Sequence, residues 1–154
     1  VVHDAEFVGG GFWDEAMKRL PLGSRLMPHA REVLEYLRPR YRMYILSNGF
    51  TELQSRKMHS AGIESYFDGV ILSEDIGVNK PNPEIFYHAL RVTGVGASEA
   101  LMIGDNLEVD IAGASRVGID QVYYDIAASE GNAVSLQPSP TYVVTSLLDL
   151  KGIL

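Results

Sequence analysis

A chain of 154 residues, 46% apolar and 21% charged, has the size and make-up of one globular domain with a real core. Its net charge of −7 and the lack of any Lys/Arg run argue against nucleic acid or an anionic membrane surface as partner. There is no cysteine for a disulfide or thiolate site, no apolar stretch near the roughly 20 residues of a membrane span, and nothing resembling a signal peptide, so the cytoplasm is the expected compartment.

Residues 1–24 contain a Gly9-Gly10-Gly11 break and then a short helical pattern with Phe12, Trp13, Ala16, Met17 and Leu20 on one face. No strand is expected before the three glycines and no Gly-Lys-Ser/Thr follows them, so they do not read as a phosphate loop. Residues 28–37 form the first well-marked helix, with Val33, Leu34 and Leu37 on one side and Pro39 closing it. A short β-prone strand at 43–46 runs into Ser47-Asn48-Gly49. Thr51 and Gln54 then suit a capping box for a helix that reaches about Ala61, with Gly62 as its left-handed terminator.

The next strand is expected at 69–72, followed by a polar loop at 73–79. Asn82 suits an N-cap and Pro83 a first turn for a helix that buries Ile85, Phe86, Ala89 and Leu90. An apolar strand at 100–103 stops at Gly104, and a helix over 107–117 carries small residues, Ala112, Ala114 and Ser115, before Gly118 ends it. Residues 121–124 form another strand, 127–140 a Ser/Pro-containing loop, and 142–144 a last short strand. Ser146 and Asp149 offer a weaker capping pattern for the terminal helix. Short, nearly continuous apolar strands alternating with helices predict an α/β fold, a Rossmann-like three-layer α/β/α sandwich around a parallel sheet.

In such a sheet the strand-to-helix loops share one edge, where ligands bind. Here those loops carry Ser47-Asn48-Gly49, then Lys80, then Asp105 with Asp110. A hydroxyl, an amide and free backbone N–H groups make an anion site, a lysine suits phosphate oxygens, and two carboxylates suit Mg²⁺. Each also has a plainer reading: Ser47-Asn48-Gly49 as a turn, Lys80 as a solvated loop lysine, Asp105 or Asn106 as a helix cap. Their occurrence together, in this order, favours a site for a phosphoryl group and its metal.

Ser47-Asn48-Gly49 after Tyr44-Ile45-Leu46, Lys80-Pro81-Asn82-Pro83-Glu84-Ile85-Phe86, and Gly104-Asp105 with Asp110 resemble the second, third and fourth motifs of the haloacid-dehalogenase-like hydrolase superfamily. The resemblance runs from about Leu26 to the C-terminus. The stretches Glu52-Leu53-Gln54-Ser55-Arg56-Lys57-Met58 and Leu72-Ser73-Glu74-Asp75-Ile76-Gly77-Val78 are most similar to the pyrimidine-nucleotide 5′-nucleotidase branch. It implies a Mg²⁺-dependent phosphatase that acts through an aspartyl phosphate on a small phosphorylated substrate, a nucleoside monophosphate, and works as a monomer or weak homodimer. Ser47 would hydrogen-bond the transferring phosphoryl group, with Asn48 and Gly49 shaping its loop, and Lys80 would neutralise charge between that group and the nucleophile. Asp105 would ligate Mg²⁺ directly. Asp110 would serve the metal through a bound water, or would orient Lys80.

The family's first motif, Asp-x-Asp, supplies the nucleophile and its acid/base partner, and it occurs nowhere in these residues. Asp4, Asp14 and Asp125 do not stand in that context. The implied expectation is the C-terminal portion of a longer enzyme, inactive and poorly folded alone, with residues 1–24 left from a helical cap and 25–154 forming a core without its first central strand. Two alternatives compete. A 2-haloacid dehalogenase shares the Ser-Asn-Gly and Lys elements but lacks a magnesium-binding Asp where Asp105 stands. A catalytically silent binding domain of the same fold is the other.

Overall fold

The computed structural model describes residues 6–9, 26–49, 55, 58–129 and 139–154. Among these residues six strands form one sheet: β1 (Glu6–Gly9), β2 (Met43–Ser47), β3 (Gly69–Leu72), β4 (Ala100–Gly104), β5 (Asp120–Tyr124) and β6 (Tyr142–Val144). Their spatial order is β3-β2-β1-β4-β5-β6, and every neighbouring pair is parallel. Parallel neighbours need crossovers, and α1 (Ala30–Leu37), α2 (Pro83–Thr93), α3 (Gly113–Arg116) and the short α4 (Ile126–Ser129) lie in them, while α5 (Leu150–Ile153) follows β6. Among the described residues no helix is long and apolar enough to cross a membrane.

Both faces of the sheet are covered, as the alternation of side chains requires. Met43, Ile45, Leu101 and Ile103 point into a core completed by Val33, Leu34 and Leu37 of α1 and by Leu147 and Leu150 near the C-terminus. Leu46, Ala100 and Met102 point the other way, onto Ile85, Phe86 and Ala89 of α2 and Ala114 of α3. Full burial of side chains such as Leu34 or Phe86 is worth about 1.5–3 kcal/mol each. The three-layer α/β/α arrangement expected from the apolar pattern is the one present.

The central place in the sheet differs from expectation. It is filled, by β1, within the 1–24 segment where the sequence predicts the remnant of a cap. Phe7 pairs in register with Met43 on one side and Leu101 on the other, and Gly9 with Ile45 and Ile103. Four residues therefore satisfy the inner hydrogen-bonding edges of both β2 and β4, groups that are costly to leave unpaired inside a sheet. β1 ends at Gly9, so a strand does lead into the three glycines, and only the missing Gly-Lys-Ser/Thr speaks against a phosphate loop there. The helical pattern at 12–20 and most of the 51–61 helix lie outside the described residues; Gly62 does take the left-handed conformation, at φ 64°.

Other boundaries follow local chemistry. Asn82 caps α2 through its side-chain oxygen, which accepts from Glu84 N at 3.0 Å, with Pro83 in the first turn as expected. Gly94 ends that helix at φ 76°. α1 starts at Ala30, because His29 before it is left-handed, at φ 66°. The single helix expected over 107–117 is instead a π turn, Leu107–Ala112, followed by α3.

Candidate active site

Ser47 closes β2 and is fully buried, and its Oγ accepts from Gly49 N at 3.1 Å. This short Ser-to-backbone turn lifts the chain out of the sheet at its carboxyl edge. Asn48, exposed, turns toward the loop that follows β3. Its Nδ2 donates to the Lys80 carbonyl at 3.0 Å, and its Oδ1 accepts from Lys80 N at 2.7 Å.

Lys80 is buried, its side chain only 2% exposed, which is unusual for lysine and requires partners. Two are present. Nζ donates to the Leu46 carbonyl at 2.9 Å and to Asp110 Oδ1 at 2.7 Å. The Asp110 side chain is 1% exposed, so the ion pair is desolvated on both sides.

The π turn explains how Asp110 comes to face the lysine. Asn106 Oδ1 accepts from Glu108 N at 3.1 Å and Val109 N at 2.9 Å, capping the turn. The Asn106 carbonyl then accepts from both Asp110 N at 3.0 Å and Ile111 N at 3.2 Å, the second a five-residue closure that widens the turn. Asp110 lies directly over Gly104: a Cβ there would stand 2.5 Å from Asp110 Cβ. Gly113 acts similarly in the following turn, since its Cβ would meet the Phe86 ring at 2.6 Å and Pro81 at 3.3 Å. These two close approaches seat the Asp110 segment against β4 and against the chain that carries Lys80.

Asp105 follows Gly104 at the same edge and is half-buried. Its charge is felt by the neighbouring strand. Burial, then Asp125 and Asp105, push the Tyr123 hydroxyl above its ordinary pKa; burial, then Asp105 and Asp149, do the same to Tyr124. Asp125, the acid after β5, is buried, and its Oδ1 accepts from Ala128 N at 2.8 Å, which gives it a structural task at the start of α4.

Ser47, Asn48, Gly49, Lys80, Asp105 and Asp110 thus lie in the polar loops at one end of the sheet, and direct hydrogen bonds join Asn48 to Lys80 and Lys80 to Asp110. Sequence reasoning missed the Leu46 carbonyl, a backbone acceptor with no residue type to betray it. Among the described residues no group of three or more His, Cys, Asp or Glu side chains could cage a metal. Mg²⁺ does not ask for one. It is commonly held by one or two carboxylates, waters and substrate phosphate, and Asp105, half-buried at the sheet edge, is a carboxylate of the kind that would serve.

A doubly wound parallel α/β domain with its polar groups gathered beyond the carboxyl ends of the strands is the class that fold and site define. Within that class the chain belongs to the haloacid dehalogenase-like hydrolases, whose family model matches residues 5–118. It is 34% identical over 124 residues to the N-acylneuraminate-9-phosphatase of Rattus norvegicus, covering 80% of this chain and 50% of that protein. It is 35% identical over 132 residues to the pyrimidine 5′-nucleotidase YjjG of Escherichia coli, covering 83% and 56%. The crystal structure of YfnB from Bacillus subtilis bound to magnesium superimposes with a TM-score of 0.74 at 28% identity, covering 84% of this chain and 55% of that one. The chain spans about half the length of the curated relatives it matches.

Proposed function

We propose that the protein is a Mg²⁺-dependent phosphoric monoester hydrolase of the cytoplasm, a monomer or weak homodimer, acting on small phosphorylated substrates, with nucleoside monophosphates as the preferred class. The observation that carries this reading is the buried Lys80 ammonium, held by Asp110 and the Leu46 carbonyl at the sheet edge near Ser47 and Asp105. A fixed, desolvated cation is costly to maintain and is suited to charge that develops on a phosphoryl group. The two named relatives, one a phosphatase and one a nucleotidase, support the reaction class. The nucleotide preference rests on the resemblance of 52–58 and 72–78 to nucleotidases.

In this reading Lys80 neutralises the phosphoryl oxygens while Asp110 keeps its ammonium aimed. Ser47 Oγ hydrogen-bonds the transferring group, with Asn48 and Gly49 shaping the loop that carries it. Asp105 holds Mg²⁺, with Asp110 contributing through Lys80 or a bound water, and the ion when bound supplies further neutralisation of phosphate charge. The attacking carboxylate belongs to an Asp-x-Asp motif that the 154 residues do not contain. The chain as it stands is accordingly expected to turn over p-nitrophenyl phosphate negligibly.

The test uses the full-length protein. Mg²⁺ should raise its melting temperature, and Asp105→Ala should abolish that shift; a wild-type protein indifferent to Mg²⁺ would count against the metal. Hydrolysis rates across nucleoside monophosphates and sugar phosphates then decide the substrate class, and a clear preference for sugar phosphates would overturn the nucleotide assignment.

A further inference from the structure

Lys80 is gripped at both ends by one short stretch of chain. Its ammonium rests on the Leu46 carbonyl at 2.9 Å, and its backbone rests on the side chain of Asn48, two residues further along. The Asn48 carboxamide meets the lysine through both of its functional ends: Oδ1 takes the Lys80 N–H at 2.7 Å, and Nδ2 gives to the Lys80 carbonyl at 3.0 Å. One hydrogen bond leaves a pivot; two from a planar amide remove it. The side chain of an exposed loop residue thereby fixes the main chain of a residue 32 positions away whose own side chain is buried.

We propose that Asn48 is a positioning residue for Lys80: its two-point grip on the Lys80 backbone sets where the ammonium stands at the sheet edge, and it acts on the phosphoryl group only through that lysine. This rests on the reading of Lys80 as the phosphoryl-neutralising cation. The ammonium sits at the end of a flexible four-carbon stem, and its two acceptors, Leu46 O and Asp110 Oδ1, fix only the head. Fixing the main chain as well removes the other source of drift. Small displacements matter, because misplacing a reacting group by about 1 Å can cost on the order of 100-fold in rate.

A double-mutant cycle in the full-length protein, with p-nitrophenyl phosphate as probe, separates positioning from direct contact. Asn48→Ala should lower kcat about 10- to 100-fold with KM within about two-fold, and it should cost nothing further in a Lys80→Ala background. Asn48→Asp, which keeps the acceptor for Lys80 N–H and loses the donor, should fall between wild type and Asn48→Ala. Losses that multiply in the double variant would show that Asn48 works independently of Lys80 and overturn the proposal. A second readout does not depend on activity. In Asn48→Ala the Lys80 amide should exchange with solvent at least about 10-fold faster, while the amides of Ile45 and Met102 keep their protection. An unchanged Lys80 amide would overturn the grip itself. A responsive Lys80 amide in a protein that hydrolyses no phosphate ester would instead overturn the phosphatase reading, and with it the catalytic side of this proposal.

Discussion

A single methyl group is a sensitive probe of this site. At Gly104 a Cβ would stand 2.5 Å from Asp110 Cβ and 2.6 Å from Asp110 Oδ2, distances no real pair tolerates. Gly104→Ala must therefore shift Asp110 against β4 and disturb its bond to Lys80, and overpacking of this kind is expected to cost about 1–3 kcal/mol in urea unfolding, with hydrolysis by the full-length protein falling in parallel under the proposed function. Gly152→Ala is the control. A Cβ there meets nothing within 4 Å, and in α5 the added methyl should be neutral or stabilise by about 0.5–1 kcal/mol. Equal stability of the two variants would mean that the close approach at Gly104 is not enforced. At this scale Ser47, Lys80 and Asp110 were legible, because hydroxyl, ammonium and carboxylate are types whose chemistry can be named before their positions are known. The bond from Lys80 to the Leu46 carbonyl was not, since every residue has a carbonyl. Nor was the turn of Asn48 toward Lys80 legible, because a Ser-Asn-Gly loop is compatible with many directions for its amide.

At the scale of elements, apolar runs located β2 to β6 within a residue or so, and Asn82-Pro83 located the start of α2. Several elements escaped, α4 (Ile126–Ser129) among them, since the stretch from residue 127 read as loop. The π turn at Leu107–Ala112 did, because its one extra residue per turn leaves the apolar pattern of a short segment unchanged. β1 did, because it is four residues long and ends at the first of three glycines, which read more strongly as a break than as a strand end. The C-terminal helix shows how elements are tied together by exposed charges. Lys151 of α5 lies 2.6 Å from Glu32 of α1 and 5.5 Å from the Tyr36 ring, and the Tyr41 hydroxyl donates to the Leu154 carbonyl at 3.2 Å. The hydrogen bond from Lys151, then its charge, hold the Glu32 carboxyl below its ordinary pKa. A depressed carboxyl contributes stability above its unfolded pKa and loses it as pH falls through the folded value. Glu32→Gln should accordingly melt slightly below wild type at pH 7, and the difference should shrink as pH falls below the ordinary carboxyl value of about 4.3 and vanish only below the depressed value of the folded state, where the carboxyl of either state is protonated. A difference that persists at acid pH would place the effect outside the ion pair.

The molecule as a whole keeps a buried ion pair where three segments meet: the end of β2, the loop after β3, and the π turn after β4. A parallel sheet was legible from alternation, but its strand order was not, and it is the order that brings residues 46, 80 and 110 together. What alternation does not reveal is whether the pair supports the fold or the chemistry, and stability measurements separate these. Asp110→Leu leaves the Lys80 ammonium buried with only the Leu46 carbonyl for a partner and is expected to destabilise by about 3–5 kcal/mol. Lys80→Met takes away the ammonium that faces the buried Asp110 carboxylate. The double variant removes both charges and fills similar volume with apolar groups, an exchange that is often neutral or stabilising. One term resists full recovery: the Leu46 carbonyl loses its donor, which costs about 1–3 kcal/mol if nothing replaces it. The double variant should therefore regain more than about half of the stability lost by Asp110→Leu, while all three variants of the full-length protein stay more than about 100-fold below wild type on p-nitrophenyl phosphate. Urea midpoints at pH 7 give the comparison. Recovery of stability without recovery of activity would mean that the pair is maintained for the reaction. A double variant as unstable as either single one would mean instead that the pair is a structural joint between the three segments.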